Sequence, residues 1–186
     1  MKKALYIRTA KTGSSSIVNW CKSFGHDIPH TEVQKHLNDP DNQNKIQKHF
    51  RDESFLFYSI RNPYERALSC WRQALQSCWI GERMSFEQFL ELDFHQTMPH
   101  THALTHVIPM TEYLADVLDK VNYVVRLENF EKCMKHVSEE LETPYHYPGH
   151  HYKGNYTRVN KDQALNAANK KKIEEKYKSD FEFFGY

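Results

Sequence analysis

Residues 11–16, which read Lys-Thr-Gly-Ser-Ser-Ser, have the types and the spacing of an anion-binding loop. Small side chains let the backbone approach a ligand, hydroxyl groups add hydrogen-bond donors, and N–H groups at a helix start bind phosphate. Lys11 adds a positive charge. Because the lysine precedes the glycine, the segment differs from the nucleotide-binding pattern GxxxxGK[ST]. A capped turn with a chance lysine is the alternative interpretation.

The segment from Arg61 to Ser69 reads Arg-Asn-Pro-Tyr-Glu-Arg-Ala-Leu-Ser and follows a nearly continuous apolar run. Asn62 suits an N-cap and Pro63 suits the first turn of a helix. A guanidinium at the end of a buried strand, such as that of Arg61, suits a phosphate monoester. Ser69 lies about two turns into the helix and reaches that phosphate only if the helix runs alongside the ligand. Ordinary charges on an exposed amphipathic helix are the alternative.

Apolar runs and helical spacing place both segments where a strand ends and a helix begins. The predicted strands are residues 4–9, 54–60 and 121–127. The predicted helices are residues 14–24, a surface helix within 36–52, and 62–79, 85–92, 110–118, 130–141 and 162–177. This alternation predicts an α/β fold with a mainly parallel sheet flanked by helices, in a single domain over residues 1–186. Ligands bind such sheets where strands end and helices begin.

Together the two segments resemble the sulfotransferases that use 3′-phosphoadenosine-5′-phosphosulfate (PAPS), in particular the carbohydrate sulfotransferases and their small bacterial relatives. The similarity extends over nearly the whole chain and includes His36 with Leu37 and residues 109–114, 123–130 and 177–186. In the first loop, Ala10 stands where the family often has proline. Gly-Ser-Ser replaces the family's Gly-Gly-Thr or Gly-Thr-Thr, which keeps small side chains and hydroxyls. The resemblance implies a three-layer, P-loop-like fold.

The resemblance also implies that a sulfuryl group passes in line from PAPS to a hydroxyl or amine acceptor, such as a carbohydrate. By motif, the residues that hold the 5′-phosphosulfate are Lys11, Thr12, Gly13, Ser14, Ser15 and Ser16. Arg61 and Ser69 correspond to the residues that hold the 3′-phosphate. Lys153 and Arg158 lie in a segment similar to the basic loop that covers the cofactor in this family, and are expected to be further contacts.

Two catalytic roles follow from this resemblance. By analogy with phosphoryl transfer, Lys11 is expected to stabilise the departing bridge oxygen. An acceptor hydroxyl also needs a base near neutral pH. His36 is the first candidate because it lies between the two cofactor strands, and His30, His106 or a carboxylate are the alternatives. No spacing of His and Cys matches an established zinc site, so no metal is expected.

The composition limits the classes of partner. The chain has 186 residues, with 25 Lys plus Arg, 24 Asp plus Glu and a net charge of +1, which disfavours a nucleic-acid module. No apolar run approaches the roughly 20 residues of a membrane span, and the stretch from Ala4 to Ile7 is too short for a signal peptide. Four cysteines without a CxxC pair favour buried free thiols and a cytoplasmic location.

Two other functions stay open at the level of sequence. One is a catalytically silent protein that binds PAPS or a nucleotide and regulates a partner, and turnover with any acceptor excludes it. The other is a P-loop-like nucleotide kinase, against which the position of Lys11 counts. A sugar, a lipid headgroup, a peptide tyrosine and a small alcohol are all open as acceptors, and the sequence predicts no oligomeric state.

Overall fold

A computed structural model describes residues 3–23, 31–32, 48, 54–115, 117–146 and 160–186 of the protein. Contacts between backbone positions divide the chain into two compact units. The first unit comprises Met1–Arg61 and Leu114–Tyr152, and the second comprises Asn62–Tyr113 and Lys153–Tyr186. The assignment of all 186 residues to one domain stays a prediction.

Strands and helices alternate along the first part of the described chain. The strands are β1 Ala4–Arg8, β2 Thr31–Glu32, β3 Phe55–Ile60 and β4 Tyr123–Arg126. The described helices are α1 Ser14–Ser23, α2 Pro63–Gln76, α3 Phe86–Glu91, α4 Phe94–Thr97, α5 Thr101–Val107, α6 Met110–Leu114, α7 Phe130–Glu140, α8 Lys161–Ala164, α9 Ala167–Lys176 and α10 Lys178–Phe184. A short 3₁₀ turn, Leu127–Asn129, joins β4 to α7.

The four strands form one parallel sheet in the order β2-β1-β3-β4. In the register, Ile7 on β1 pairs with Tyr58 on β3, and Ile60 on β3 pairs with Arg126 on β4. All six residues of β3 are buried, as expected for a strand covered on both faces. The sheet confirms the predicted α/β, P-loop-like fold. Strands β1, β3 and β4 lie within the three predicted apolar runs, and the short β2 is an additional strand.

Helices α1 and α7 supply the apolar side chains that cover one face of the sheet in the first unit. Their buried residues recur at helical spacing, which is why these segments form amphipathic helices. The core cluster combines Ile17, Trp20 and Cys21 of α1, Met134 and Val137 of α7, and Tyr6, Phe57 and Val125 of the sheet. The predicted helices over 14–24 and 130–141 are therefore confirmed to within a residue.

Helix α2 opens the second unit in the way that the sequence predicts. The side chain of Asn62 accepts a hydrogen bond from the N–H of Tyr64 at 3.0 Å, and Pro63 is the first helical residue. The helix ends at Gln76. Cys78 has a positive φ of 53°. The predicted extension of this helix to residue 79 is therefore wrong, because an α-helix requires a negative φ.

The end of the chain forms three short helices, α8, α9 and α10, where the sequence predicts one. The single helix predicted over 162–177 is wrong, because Asn166 accepts a hydrogen bond from the N–H of Asn169 at 2.9 Å and starts a new helix there. Helix α10 then follows without having been predicted.

Helices α4 and α5, in the middle of the chain, were also not predicted. Each begins at a side-chain cap, which Asp93 supplies for α4 and His100 for α5. The helix predicted over 110–118 ends at Leu114.

A buried carboxylate links the chain end to the middle of the second unit. Asp180 accepts hydrogen bonds from the backbone N–H groups of Met110 and Thr111, each at 2.9 Å. It also accepts one from the Thr111 hydroxyl at 3.0 Å and lies 3.8 Å from the Arg66 guanidinium. Arg66 and Asp180 are both fully buried. Asp180 therefore supplies the acceptor that the start of α6 needs and the countercharge that a buried arginine needs.

The cysteines are all free thiols, and three of them, Cys21, Cys70 and Cys133, are buried. The expectation of buried thiols is wrong for Cys78, which is exposed beyond the end of α2. Burial raises the pKa of the Cys21 thiol to about 12, which keeps it protonated and unreactive. Within the described ranges, no helix combines the length and the apolar character that a membrane span requires.

We expect a thiol reagent to modify one thiol per native chain rapidly, and Cys78→Ser to abolish this fast reaction. Exposure lets the reagent reach Cys78, whereas the other three thiols react only when their surroundings open. The measurement is the time course of thiol modification before and after addition of urea. Fast modification that persists in Cys78→Ser would contradict the burial of the other three.

Candidate functional site

The carboxyl ends of three neighbouring strands bring basic residues to one edge of the sheet. β1 ends at Arg8 and leads into the loop with Lys11, Arg61 follows the last residue of β3, and Arg126 is the last residue of β4. All four side chains are partly exposed. Because the strands are parallel and adjacent, the loop and Arg61 meet at the same edge, as the sequence predicts.

Arg126 is a residue that reasoning from the sequence did not single out. It pairs in register with Ile60, the residue before Arg61, so two arginines occupy the ends of adjacent strands. The signal was present in the sequence, since Arg126 closes a predicted buried strand as Arg61 does. The register that places them side by side depends on strand pairing between distant segments, which spacing alone does not give.

The loop turns into α1 with a backbone suited to hold an anion. Lys11 and Gly13 have positive φ angles of 63° and 84°. The Gly13 carbonyl accepts hydrogen bonds from the N–H groups of Ser16 at 3.0 Å and Ile17 at 3.3 Å. The N–H groups of Ser14 and Ser15 come before Ser16 in the chain and point out of the helix N-terminus. The helix dipole favours negative charge there. An unusual backbone conformation at Lys11 is itself typical of functional sites.

We expect Gly13→Ala to reduce the free energy of unfolding by about 1–2 kcal/mol. The positive φ of Gly13 is strained for alanine, and an added Cβ would lie 2.7 Å from Cδ1 of Leu127. Gly81→Ala is the matched control, because a Cβ at Gly81 meets no atom within 4 Å. Urea denaturation of both variants measures the difference. Equal stability of the two variants would contradict the described turn.

The side chains of the loop point in different directions. Thr12 is fully buried. Its hydroxyl donates to the carbonyl of Thr9 at 3.0 Å and lies 2.7 Å from the hydroxyl of Ser59. Ser14 is also buried, whereas Ser15 and Ser16 are partly exposed. The exposed side of the loop therefore offers Lys11, two serine side chains and the helix N-terminus, while Thr12 holds the loop against the sheet.

Comparison of the sequence with models of protein families shows which family the chain belongs to. The sequence model of the sulfotransferase family matches residues 1–186. The chain belongs to the sulfotransferase family. No curated protein and no solved structure matches it with significant similarity. Membership assigns the chain to sulfuryl transfer and favours a sulfuryl-transferring enzyme over a nucleotide kinase, which transfers a phosphoryl group.

The other residues expected to contribute to the sulfotransferase site are distributed over the chain. Ser69 is partly exposed on α2, in the second unit. Lys153, Arg158, His36 and His30 lie outside the described residues. Among the residues that the structure does describe, no group of three or more His, Cys, Asp or Glu is arranged to hold a metal ion.

His106, which the sequence offers as an alternative candidate for the base, lies in the last turn of α5. Its Nδ1 is 2.8 Å from the backbone carbonyl of His102. Because a carbonyl only accepts, Nδ1 carries the proton and the lone pair of the neutral ring resides on Nε2. The ring also packs edge-on against Trp79, with centroids 5.2 Å apart. His106 is thus held in one tautomer and one orientation.

Proposed function

We propose that this sulfotransferase transfers the sulfuryl group of PAPS to a hydroxyl or amine acceptor, with carbohydrates as the first class to test. One observation carries the proposal. The loop at residues 11–16, which leads into the N-terminus of α1, and Arg61, which follows the adjacent strand β3, lie at the same edge of the sheet. PAPS has an anionic group at each of two positions, and these two features are suited to bind them.

Each anion-binding feature has its own part in this proposal. The N–H groups of residues 14 and 15 and the side chain of Lys11 bind the 5′-phosphosulfate, and Arg61 binds the 3′-phosphate. Bound PAPS supplies an activated sulfuryl group on a good leaving phosphate. Lys11 offsets the negative charge that grows on the bridge oxygen as its bond to sulfur breaks. The loop thus contributes by position and charge rather than by covalent chemistry.

Ser69, Lys153 and Arg158 remain proposed contacts of the same nucleotide. The hydroxyl of Ser69 would donate to the 3′-phosphate, and the two basic side chains would add positive charge beside it. No metal has a role in this scheme. The cytoplasmic location inferred from the sequence is likewise part of the proposal.

A base must accept the proton of the acceptor as the new bond to sulfur forms, and we propose His36 for this role. We expect the rate to fall below neutral pH, because a protonated imidazole accepts no proton, and His36→Ala to remove this acid limb. Profiles of rate against pH for the two proteins, and for His106→Ala as the comparison, test the assignment. An acid limb that survives in His36→Ala and disappears in His106→Ala would transfer the role to His106.

Labelled PAPS incubated with a panel of acceptors tests the reaction itself. The panel contains sugars, lipid headgroups, tyrosine peptides and small alcohols, and transfer of the label to one class is the expected result. Lys11→Ala is the matched protein control, because it removes the proposed stabilisation of the leaving group while retaining the rest of the loop. Binding of PAPS without transfer to any class would favour the alternative of a catalytically silent binding protein.

A further inference from the structure

Four hydroxyl groups form a buried chain beneath the loop of the proposed site. They belong to Tyr6, Thr9, Thr12 and Ser59, and none of the four residues is accessible to solvent. The Tyr6 oxygen is 2.6 Å from Oγ of Ser59, which is 2.7 Å from Oγ1 of Thr12. Oγ1 of Thr9 lies 2.7 Å from Oγ1 of Thr12 and 3.1 Å from Oγ of Ser59.

The direction of the chain follows from the two backbone carbonyls at its end. Thr12 donates to the carbonyl of Thr9, and Thr9 donates to the carbonyl of Ser59, because a carbonyl only accepts. The Thr12 proton is shared between the carbonyl and the hydroxyl oxygen of Thr9, which lies 2.7 Å from Oγ1 of Thr12. Ser59 then donates to Thr12, and Tyr6 donates to Ser59. Burial raises the pKa of the Tyr6 phenol well above its ordinary value, which keeps this first donor protonated. Every hydroxyl of the chain therefore donates one hydrogen bond.

The chain lies where the backbone pairing between β1 and β3 stops. The last pair between these strands is Ile7 with Tyr58, so Thr9 and Thr12 are beyond the ladder. Ser59 is one residue further along β3 and two residues before Arg61. Hydroxyl groups thus replace the missing backbone bonds and join the loop to the strand end that carries Arg61.

We propose that this hydroxyl chain is a positioning device that fixes the spacing between the loop at residues 11–16 and Arg61, and so makes the site selective for a nucleotide with two phosphates. Two anchors bind one ligand together only when their separation matches that of its two charged groups. Thr9, Ser59 and Tyr6 are accordingly positioning residues, and the buried side chain of Thr12 is a fourth. This inference rests on the proposed function.

Calorimetry on variants of Thr9, with adenosine 3′,5′-bisphosphate and AMP as the ligands, tests the inference. We expect Thr9→Val, which keeps the shape and loses the hydroxyl, to reduce the preference for the bisphosphate by about tenfold, roughly the worth of one hydrogen bond. AMP affinity changes little, because a single anchor has no spacing to satisfy. Thr9→Ser retains the hydroxyl and retains the preference. Ser59→Ala is the second variant if Thr9→Val does not fold.

The outcomes separate this inference from the proposed function. A wild-type protein that binds the bisphosphate no better than AMP would contradict the proposed function itself. A wild-type preference that persists in folded Thr9→Val and Ser59→Ala would overturn the positioning role and leave the proposed function in place. An equal loss of affinity for both ligands in the two variants would also overturn it, because a purely structural role weakens both anchors alike.

Discussion

Lys11→Ala is expected to lower kcat by about a hundredfold or more and to leave the Kd for adenosine 3′,5′-bisphosphate within a few-fold of the wild-type value. Lys11 lies in the loop, three residues before the start of α1 and with a positive φ of 63°, close in sequence to the N–H groups that would bind the phosphosulfate. Its charge is needed most when the bridge oxygen becomes negative, so the loss appears in the chemical step.

Steady-state kinetics with the acceptor found in the screen, together with calorimetry, separates these two quantities. Lys22→Ala is the matched control, because Lys22 is an exposed lysine in the last turn of the same helix. We expect this control to keep the wild-type kcat. If Lys11→Ala retains kcat and raises only KM, the lysine binds the ground state and the transition state equally, and its proposed catalytic role is wrong.

Asp180→Ala is expected to reduce the free energy of unfolding by about 3–5 kcal/mol, which corresponds to a fall in Tm on the order of 10 °C. The substitution leaves the guanidinium of Arg66 buried without this carboxylate and removes the acceptor of the N–H groups of Met110 and Thr111. Breaking a buried salt-bridge and hydrogen-bond network is one of the few causes of such a large effect.

Asp93→Ala is the matched control for this stability prediction. Asp93 also accepts backbone hydrogen bonds at a helix start, from the N–H groups of His95 at 3.0 Å and Gln96 at 3.3 Å, but it is exposed. Loss of such a cap costs about 1 kcal/mol. Denaturation curves of the two variants give the comparison. A cost for Asp180→Ala no greater than that for Asp93→Ala would contradict the energetic role of the buried carboxylate.

Local signals in the sequence were sufficient to predict the strands of the sheet and the positions of the loop at residues 11–16 and of Arg61 at strand ends. β3 is a nearly continuous apolar run, and the cap at Asn62 with Pro63 after it marks the start of α2. Both features depend on neighbouring residues. The parallel order of the strands then places the loop and Arg61 at one edge without further information.

Features that depend on distant partners could not be predicted in the same way. The contact between Asp180 and the start of α6 joins residues about 70 positions apart, and no local pattern encodes it. The side chain of Thr12 fits the motif of a ligand contact, yet it is buried and its hydroxyl contacts that of Ser59 on β3, 47 positions away in the sequence. The break at Asn166 was readable from the sequence, because asparagine is a good N-cap residue.

The most direct test of the central claim is calorimetry of the wild-type protein with adenosine 3′,5′-bisphosphate and with AMP. The claim is that a loop and an arginine at one edge of the sheet bind the two anionic ends of PAPS. It predicts about 10–100-fold tighter binding of the bisphosphate, the worth of one charge-assisted contact to the 3′-phosphate. Equal affinity for the two ligands would show that the 3′-phosphate is not recognised, and would contradict the account.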